Sequence, residues 1–309
     1  MTDQTVLESA GCKALKLLGI VYLVVESNFG ITAAKVISLQ HFNEREWEVA
    51  GKISKQANIC QYVINYKGAQ IIQDHAIILM EYANLPPLQK IFDQNFPILP
   101  REDFVKSIMW QLLNGISVIH EAGLIHRDLI ADNIMFHNIY GSDQVIVKIT
   151  DFGLAREKDP QGRGVTQCGT PLGMAPEVMM DKSHFIVGNQ FNQYQQKQQQ
   201  LIQYGYNEKV DIWSLGILFF KLLTKRYPFE ANNIMQLINI IQRPIQRMPS
   251  NRSLECIDLL KKMLQFQPQQ RISAEDALSH DWFKQDGNGQ LYQINPTRSN
   301  CSSNSFASF

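Results

Sequence analysis

The sequence of 309 residues has no excess of charge of either sign. Lys and Arg together number 29, as do Asp and Glu, so the formal net charge is zero at pH 7. Proteins that bind nucleic acid through its phosphates usually carry a basic excess, so we expect no nucleic-acid partner. Apolar runs are also short, since none approaches the roughly 18 residues of a membrane span, and residues 1–10 are polar and acidic rather than leader-like. These absences predict a soluble, cytoplasmic protein without membrane association.

Cysteine is scarce and is never paired in a Cys-x-x-Cys motif. The five cysteines lie singly along the chain, at Cys12, Cys60, Cys168, Cys256 and Cys301. Disulfide frameworks and structural zinc sites need closely spaced pairs, so we expect neither. The composition, 45% hydrophobic and 10% aromatic, is sufficient for a buried core without cross-links. The chain is therefore predicted to be globular, with free thiols in a reducing compartment.

Few residues interrupt the apolar and β-branched sequence from Lys13 to Val25, in which Gly19 is the only breaker. This composition predicts β-strand. After a turn, residues 33–37 predict a strand that carries Lys35 among apolar neighbours. A lysine in that setting either points into water from an edge strand or is held at a site. Two further strands are predicted, at Tyr62–Tyr66 and Ala76–Met80.

Residues 44–54 have the spacing of an amphipathic helix. One face collects a carboxylate and three apolar residues at i, i+3, i+4 and i+7, namely Glu46, Val49, Ala50 and Ile53. An acidic side chain thus shares the inward stripe of the predicted helix. Glu48 is the alternative candidate for that position, and a solvated helix carboxylate is the other interpretation.

Two longer apolar patterns predict helices of the core. Residues 101–122 repeat apolar positions at helical spacing and stop at Gly123, and His120 within them is interpreted as a packed histidine. Residues 210–223 are apolar nearly all round, which predicts a fully buried helix. Asp211 lies inside that helix, and a buried carboxylate needs hydrogen-bond partners. A last helical block is predicted at Leu254–Leu264.

The residues best suited to chemistry lie between Ile125 and Gly153. A polar turn at 138–143 separates two apolar runs, so this stretch predicts a β-hairpin. Asp128, Asn133 and Asp151 flank the hairpin and are held by its apolar runs. Carboxylate and amide oxygens are ligands that suit magnesium. The stretch therefore predicts a site for charge and metal.

In their order and spacing, the motifs of this region resemble the catalytic and metal-binding loops of the eukaryotic protein kinases. The motifs are His126-Arg127-Asp128 with Asn133, Asp151-Phe152-Gly153, Gly169-Thr170-Pro171 and Ala175-Pro176-Glu177. The last two look like the corresponding segment of Ser/Thr kinases rather than that of tyrosine kinases. The resemblance implies an α+β, bilobal fold, with a small β-rich N-terminal lobe carrying one main helix and a larger, mostly helical C-terminal lobe. It also implies transfer of the ATP γ-phosphate to Ser and Thr hydroxyls of protein substrates.

The resemblance sets the expected domain boundaries. They are a tail at 1–12, a kinase domain at 13–284, its N-terminal lobe at 13–83 and its C-terminal lobe at 84–284. Residues 181–203 are rich in Asn and Gln and cannot bury a core, so we expect an exposed, disordered insertion there. Residues 285–309 are predicted to be a disordered tail.

The resemblance also assigns roles to the candidate residues. Asp128 takes the proton of the substrate hydroxyl, while Asn133 and Asp151 hold two magnesium ions that bridge the phosphates. Lys35 matches the strand lysine that contacts the α- and β-phosphates of ATP. Glu46 matches the helix glutamate that pairs with this lysine.

Further residues are assigned in the same way. Thr170 is expected to contact the catalytic aspartate and shape the acceptor pocket. Thr166 is a candidate phosphorylation site whose phosphate would pair with Arg127. Asp211 is expected to accept backbone hydrogen bonds from the His-Arg-Asp loop. The resemblance pairs Glu177 with Arg271 as a buried ion pair.

The implied nucleotide pocket draws on both lobes. Besides Lys35 and Asp151, the residues that line it by resemblance are Leu18, Val21, Ala33, Met80, Glu81, Ala83 and Met135. Backbone groups of residues 81–83 are expected to hydrogen-bond adenine, and Met80 to line the back of the pocket. The expected cofactors are ATP and Mg²⁺.

Two departures from the family pattern bear on catalysis. The loop Gly-x-Gly-x-x-Gly-x-Val, which covers the phosphates, is shortened by roughly five residues, so residues 15–25 form either one strand or a hairpin pinched at Gly19. We expect ATP to bind more weakly without those backbone N–H groups. Ile130 stands where Ser/Thr kinases have a lysine. The alternative function is therefore a pseudokinase, an ATP-binding or scaffolding module of the same fold with weak or no transfer.

Overall fold

The computed structural model describes residues 2–42, 44–57, 60–93, 99–142, 144–157, 173–180, 207–245 and 247–284. The side chains of residues 44–47, 56, 57, 234 and 235 are outside this description. Four features of the sequence analysis also lie outside the described residues: Thr166, Thr170, the predicted insertion at 181–203 and the predicted tail at 285–309.

The N-terminal lobe is built on five antiparallel strands. These strands are β1 (Cys12–Leu18), β2 (Val21–Glu26), β3 (Gly30–Ser38), β4 (Tyr66–Ile72) and β5 (His75–Met80), in the spatial order β1-β2-β3-β5-β4. The predicted strand at Tyr62–Tyr66 is wrong, because the strand begins at Tyr66 and runs to Ile72. The residues before it bond to the other lobe instead, with Ile64 N donating to the carbonyl of Ile149 at 3.0 Å.

One helix packs against this sheet as predicted. Helix α2 spans Glu44–Ala57 and buries Val49, Ala50 and Ile53, the three apolar members of the predicted stripe. They join a core that includes Tyr66 of β4 and Ile78 of β5. The helix is therefore oriented by its apolar face, which is the usual source of helix stability in a folded domain.

A short helix near the N-terminus covers the opposite face of the sheet. Residues 1–12 are predicted to be a tail, yet α1 spans Asp3–Ser9 and fully buries Val6 and Leu7. These two side chains complete a second, smaller core with apolar residues of the sheet, namely Cys12, Val24, Ala34, Ile77 and Leu79. Successive strand residues face opposite sides of a sheet, so this cluster uses the positions that α2 does not.

The C-terminal lobe is mostly helical and begins after residues 81–84. In the described part of the chain its helices include α3 (Gln89–Asp93), α4 (Glu102–Glu121), α5 (Lys209–Thr224), α6 (Ile234–Ile241), α7 (Leu254–Met263), α8 (Ala274–Leu278) and α9 (Asp281–Lys284). Its short strands are β6 (Leu85–Pro87), β7 (Leu124–Ile125), β8 (Ile134–Asn138), β9 (Val145–Ile149) and β10 (Arg156–Glu157). Strands β8 and β9 form the predicted hairpin, and β6 pairs with β8 on its other side.

Helix α4 supports the hairpin directly. A Cβ atom added to Gly115 would lie 2.7 Å from Cδ1 of Ile149, so the end of the Ile149 side chain would have to shift to admit a larger residue. Helix α5 is buried along most of its length, as its nearly uniform apolar sequence predicts. The hairpin therefore rests on a rigid helical base.

The two lobes confirm the predicted α+β, bilobal kinase fold, with a β-rich N-terminal part and a helical C-terminal part. Across the described ranges, none of the helices combines the length and the apolar character that crossing a membrane requires. Three cysteines fall in these ranges, and Cys12, Cys60 and Cys256 are all buried free thiols.

Candidate active site

Asp211 anchors the loop that carries Asp128. Its Oδ2 and Oδ1 accept hydrogen bonds from the backbone N–H groups of His126 and Arg127, at 2.9 and 2.8 Å. Its Oδ2 also lies 2.8 Å from Nε2 of His120, which is the packed histidine of α4. Burial alone would raise the pKa of Asp211, but the hydrogen bond and charge of His120 outweigh it and lower that pKa. The buried aspartate therefore stays ionised and fixes the loop to α5.

This anchoring holds a strained backbone. Arg127 has a φ of 72°, in the left-handed region that residues with a side chain rarely adopt. Such a residue costs on the order of 1 kcal/mol and persists only where its surroundings impose it. The hydrogen bond from Arg127 N to Asp211 supplies that constraint and sets the direction in which the chain enters Asp128.

Asn133 fixes the carboxylate of Asp128. Its Nδ2 donates to Oδ2 of Asp128 at 2.8 Å and to the Asp128 carbonyl at 2.9 Å. Burial raises the pKa of Asp128, and the hydrogen bond from Asn133 opposes this rise. A carboxylate with a raised pKa is a better proton acceptor than an exposed one. Because the amide nitrogen of Asn133 faces Asp128, its amide oxygen is left for a cation.

His126 joins this loop to the Asp-Phe-Gly segment. Its Nε2 lies 3.1 Å from the carbonyl of Thr150, and its ring packs on that of Phe152 with centroids 4.6 Å apart. Burial lowers the pKa of His126 despite the nearby carboxylates, so the ring is neutral. The histidine therefore acts as a packed connector between the segments that carry Asp128 and Asp151.

Asp151 receives the strand lysine of the other lobe. Nζ of Lys35 lies 3.4 Å from Oδ1 of Asp151, and the two side chains are 20% and 37% exposed. Asp151 has a φ of 59°, and its Oδ1 accepts a hydrogen bond from Gly153 N at 3.3 Å. The contact brings β3 and the end of the hairpin together at a partly open site.

The helix glutamate is only partly placed. Glu46 lies on α2 one turn before buried Val49, but its side chain is outside the described ones. The alternative, Glu48, is exposed. The pairing of Lys35 with Glu46 therefore stays a prediction.

One face of the sheet collects the predicted nucleotide contacts. Leu18 is paired with Val21, Val21 with Lys35, and Ala33 with Met80. Directly opposed residues of antiparallel strands share a face, as do residues two apart on one strand. All five side chains are therefore on the face from which Lys35 reaches Asp151.

The connection between the lobes uses a glutamate in an unexpected way. The side chain of Glu81 forms an ion pair of 2.8 Å with Nζ of Lys148, which is buried in β9. Glu81 N donates to the carbonyl of Asn65 at 2.7 Å, so this N–H group already has a partner within the N-terminal lobe. Met135 of β8 pairs with Pro87 of β6. Sequence reasoning missed Lys148, although a lone cation in an apolar strand was the available signal.

The β1–β2 connection is the hairpin alternative of the sequence analysis. Leu18 pairs with Val21, so the turn consists of Gly19 and Ile20 alone. Gly19 has a φ of 67°, and Ile20 is 72% exposed. This turn is shorter than the glycine-rich loop of the family pattern and therefore exposes fewer backbone N–H groups.

Ile130 lines a small cavity beside the catalytic loop. The cavity has a volume of 80 Å³ and is also lined by Asp132, Gly173, Lys221 and Tyr227. Nζ of Lys221 lies 4.2 Å from the ring centroid of Phe92 and 3.3 Å from Oε1 of Gln89. Lys221, the lysine that lines this cavity, is therefore held by Phe92 and Gln89 rather than by Asp128.

The donor set fits magnesium held together with nucleotide phosphates. Among the described residues, no three His, Cys, Asp or Glu side chains cluster as a protein-only metal site would require. Magnesium typically takes one or two carboxylates and completes its shell with phosphates and water. Asn133 and Asp151 suit that role, because the carbonyl of Asn133 accepts from Thr150 N at 2.9 Å and so holds the two residues in adjacent chain segments.

A buried ion pair holds the segment of residues 173–180 in place. Nη1 and Nη2 of Arg271 donate to Oε1 and Oε2 of Glu177 at 2.8 and 3.0 Å. Nη1 also donates to the carbonyl of Lys209, at the start of α5. The predicted pair of Glu177 and Arg271 is confirmed. It ties the residues that follow position 172 to the helical base.

A β-rich lobe with one main helix, a helical lobe, and two aspartates with an asparagine at their junction together define a bilobal kinase. The chain belongs to the protein kinase family: the family profile described as "Protein kinase domain" matches residues 17–283.

Its relatives are named serine/threonine-protein kinases. The chain is 31% identical over 288 residues to "Probable serine/threonine-protein kinase fhkA" of Dictyostelium discoideum, covering 87% of this chain and 48% of that protein. It is 35% identical over 193 residues to fhkD of the same organism, covering 60% and 24%. It is 34% identical over 215 residues to cds1 of Schizosaccharomyces pombe, covering 68% and 42%. The chain thus spans about a quarter to a half of the length of these curated relatives.

Proposed function

We propose that the protein is a Ser/Thr protein kinase that transfers the γ-phosphate of ATP, with magnesium, to Ser or Thr hydroxyls of protein substrates. The observation that carries the proposal is the 3.4 Å contact between Lys35 and Asp151. It brings a cation of the N-terminal lobe beside the aspartate proposed to hold metal. Phosphoryl transfer depends mainly on such positioning and on charge stabilisation.

The proposed roles come from the family resemblance, and the contacts of Asp128 with Asn133 and of Lys35 with Asp151 support them. Asp128 accepts the proton of the acceptor hydroxyl while the hydroxyl oxygen bonds to the γ-phosphorus and the bond to the leaving oxygen of ADP breaks. Asn133 orients Asp128 and, with Asp151, would hold magnesium, which would neutralise phosphate charge when bound. Lys35 holds the α- and β-phosphates. Thr170 is proposed to shape the acceptor pocket.

The adenine is proposed to sit against the shared face of the sheet. Ala33 and Met80 are paired across neighbouring strands and present apolar surface on that face. The backbone of Glu81 and Ala83 would supply the hydrogen bonds, and Met135 the opposing surface. Purified protein incubated with labelled ATP, magnesium and casein tests the proposal, because incorporation of label into casein Ser or Thr is required.

Replacing Ile130 with lysine is expected to raise the transfer rate. A lysine two residues after Asp128 would place positive charge near the transferring phosphate, and one such stabiliser is worth on the order of a hundredfold. Lys221 in the same cavity is held by Gln89 and Phe92, so it does not already supply this charge. We therefore expect Ile130→Lys to raise kcat by at least about tenfold. The measurement is the initial rate at saturating ATP. Ile130→Met is the matched uncharged control, and equal rates for the two variants would contradict the role given to position 130.

As the pH is lowered, the rate of phosphoryl transfer is expected to fall at a higher pH than it would if the base were an aspartate with an ordinary pKa. Burial raises the pKa of Asp128 above its usual 3.8. Because the base must be deprotonated, activity is full above the raised pKa and is lost as the pH falls through it. The measurement is kcat/KM across a pH series, with unfolding followed by circular dichroism. A rate that stays constant down to the onset of unfolding would contradict the assignment.

A pseudokinase is the second candidate, and the two-residue turn of Gly19 and Ile20 favours it. A turn this short leaves fewer backbone donors over the β- and γ-phosphates, so nucleotide would bind weakly or in a poor orientation for transfer. Nucleotide binding, measured by thermal shift, separates the two candidates when it is combined with the transfer assay. Stabilisation by ATP and magnesium without label transfer would favour the pseudokinase.

A further inference from the structure

Four arginines line a single cavity in the C-terminal lobe. The cavity has a volume of 660 Å³, and its arginines are Arg226, Arg243, Arg247 and Arg252. Among the described residues that line it, Glu230 is the one carboxylate. Because the whole chain has a net charge of zero, this is a local concentration of positive charge. None of the candidate site residues lines it.

The arginines differ in how firmly they are held. Arg226, Arg243 and Arg247 are exposed, so their guanidinium groups form an open rim. Arg252 is half-buried, and its Nη2 donates to the carbonyl of Leu223 at 3.0 Å. A guanidinium presents donors in a planar fork that matches a carboxylate with two parallel hydrogen bonds. The rim therefore suits carboxylate groups arriving from solvent.

The inner wall of the cavity is apolar. It is formed by residues at the end of α5, around α6 and in the loops that follow these helices, namely Phe220, Leu223, Phe229, Ile240, Ile245 and Met248. Aliphatic, aromatic and methionine side chains accept varied apolar groups, and methionine adapts its shape readily. A small inorganic anion would make no use of this wall. A ligand that uses the entire cavity must carry apolar and acidic groups together.

Prolines stiffen the rim. Pro228, Pro244 and Pro249 lie among the lining residues, beside or close to the arginines. Proline fixes its own φ angle and so reduces the backbone freedom that binding would otherwise remove. The cavity volume also lies within the range of pockets that enclose a drug-sized ligand, so the cavity has room for an apolar side chain of a peptide. These features describe a preformed binding surface rather than a loose loop.

We propose that this cavity binds an acidic peptide segment of a protein partner. An apolar side chain of the peptide packs on the inner wall, and flanking Asp or Glu carboxylates pair with the arginine rim. Under the proposed function the partner is a protein substrate held at a distance from the catalytic loop. The binding itself requires neither nucleotide nor transfer, so it is measured separately from kinase activity.

The test uses a fluorescent probe peptide, Glu-Asp-Glu-Leu-Phe-Glu-Asp-Glu, with blocked ends and the entire chain in the absence of nucleotide. Two control peptides replace either the acids with Gln and Asn or the Leu-Phe pair with Ala. The cavity variant is Arg243→Glu with Arg247→Glu, both at exposed positions. The matched control is Lys13→Glu with Lys261→Glu, which are also exposed and change the net charge by the same amount.

We expect the probe to bind at least about tenfold more tightly than either control peptide, with an affinity that falls as salt rises. The cavity variant should lose at least about tenfold in affinity, and the matched control should stay within about twofold of the parent. Arg243→Lys with Arg247→Lys should bind with intermediate affinity, because charge remains and the fork is lost. Equal binding of acidic and neutral peptides, or equal losses in the cavity and control variants, would overturn the proposal, as would binding of single-stranded RNA in place of the peptide. If the peptide binds but no label is transferred to casein in the separate kinase assay, the proposed function is wrong and the proposed peptide site is retained.

Discussion

Asp128→Asn should lower the rate of phosphoryl transfer by about 10³-fold while leaving the fold and nucleotide affinity close to those of the parent. The asparagine oxygen can still accept the 2.8 Å hydrogen bond that Asn133 Nδ2 now donates to Oδ2 of Asp128. The loop geometry is therefore retained, and what is removed is the group that accepts the proton. The measurement is label transfer to casein at saturating ATP, with nucleotide binding followed by thermal shift.

A matched control separates lost chemistry from lost structure. Asp281→Asn makes the same change at an exposed carboxylate of α9 that pairs with Lys284, and it should leave the rate unchanged. The base assignment would be wrong if Asp128→Asn retained more than about a tenth of the parent rate, since a general base contributes on the order of a hundredfold or more. If neither the parent nor the Asp128→Asn variant transfers label, the proposal that the protein is an active kinase is wrong.

Arg271→Met should destabilise the protein by about 3 to 5 kcal/mol, a large part of the stability of a typical domain. The change leaves the carboxylate of Glu177 buried without the two donors that Arg271 supplies at 2.8 and 3.0 Å. It also removes the donor to the carbonyl of Lys209. The measurement is the free energy of unfolding from urea titration, with the slope checked for a change in cooperativity.

Removing both charges identifies the cause. Glu177→Met combined with Arg271→Met should recover part of the loss, because an apolar pair of similar volume leaves no buried charge without a partner. Lys284→Met, which breaks the exposed pair with Asp281, should have little effect. If the double variant were less stable than Arg271→Met, the buried charge of Glu177 would not be the source of the destabilisation.

The residues of the candidate site that sequence could predict are those whose motifs adjoin strongly apolar segments. Asp211 sits in a helix whose sequence is apolar nearly all round, so its burial and its need for partners followed directly. The hairpin of β8 and β9 was predictable because its two strands are adjacent along the chain. The pair of Glu177 and Arg271 came from family resemblance, since 94 residues separate the two.

The features that sequence reasoning missed depend on contacts between distant segments. A lone lysine in an apolar strand indicates that Lys148 needs a partner, but no local pattern identifies that partner as Glu81, which is 67 residues away. Helix α1 was missed because only Val6 and Leu7 are buried in an otherwise polar stretch. The start of β4 was misplaced because residues 62–64 have the aromatic and β-branched composition of a strand, yet they bond to Ile149 rather than to the sheet.

The bonds around Glu81 have a consequence for how the cleft opens. Asn65 and Glu81 are linked through backbone and side chain, Lys148 is paired with Glu81, and Ile149 exchanges backbone bonds with Tyr62 and Ile64. Swinging the N-terminal lobe as a single body would strain all of these links together. Flexing the β1–β2 hairpin alone strains none of these links. The hairpin, with its turn at Gly19 and Ile20, lies at the edge of the sheet opposite to β4, the strand that follows Asn65. Entry and exit of a nucleotide are therefore expected to follow the motion of that hairpin, with the back of the cleft stationary.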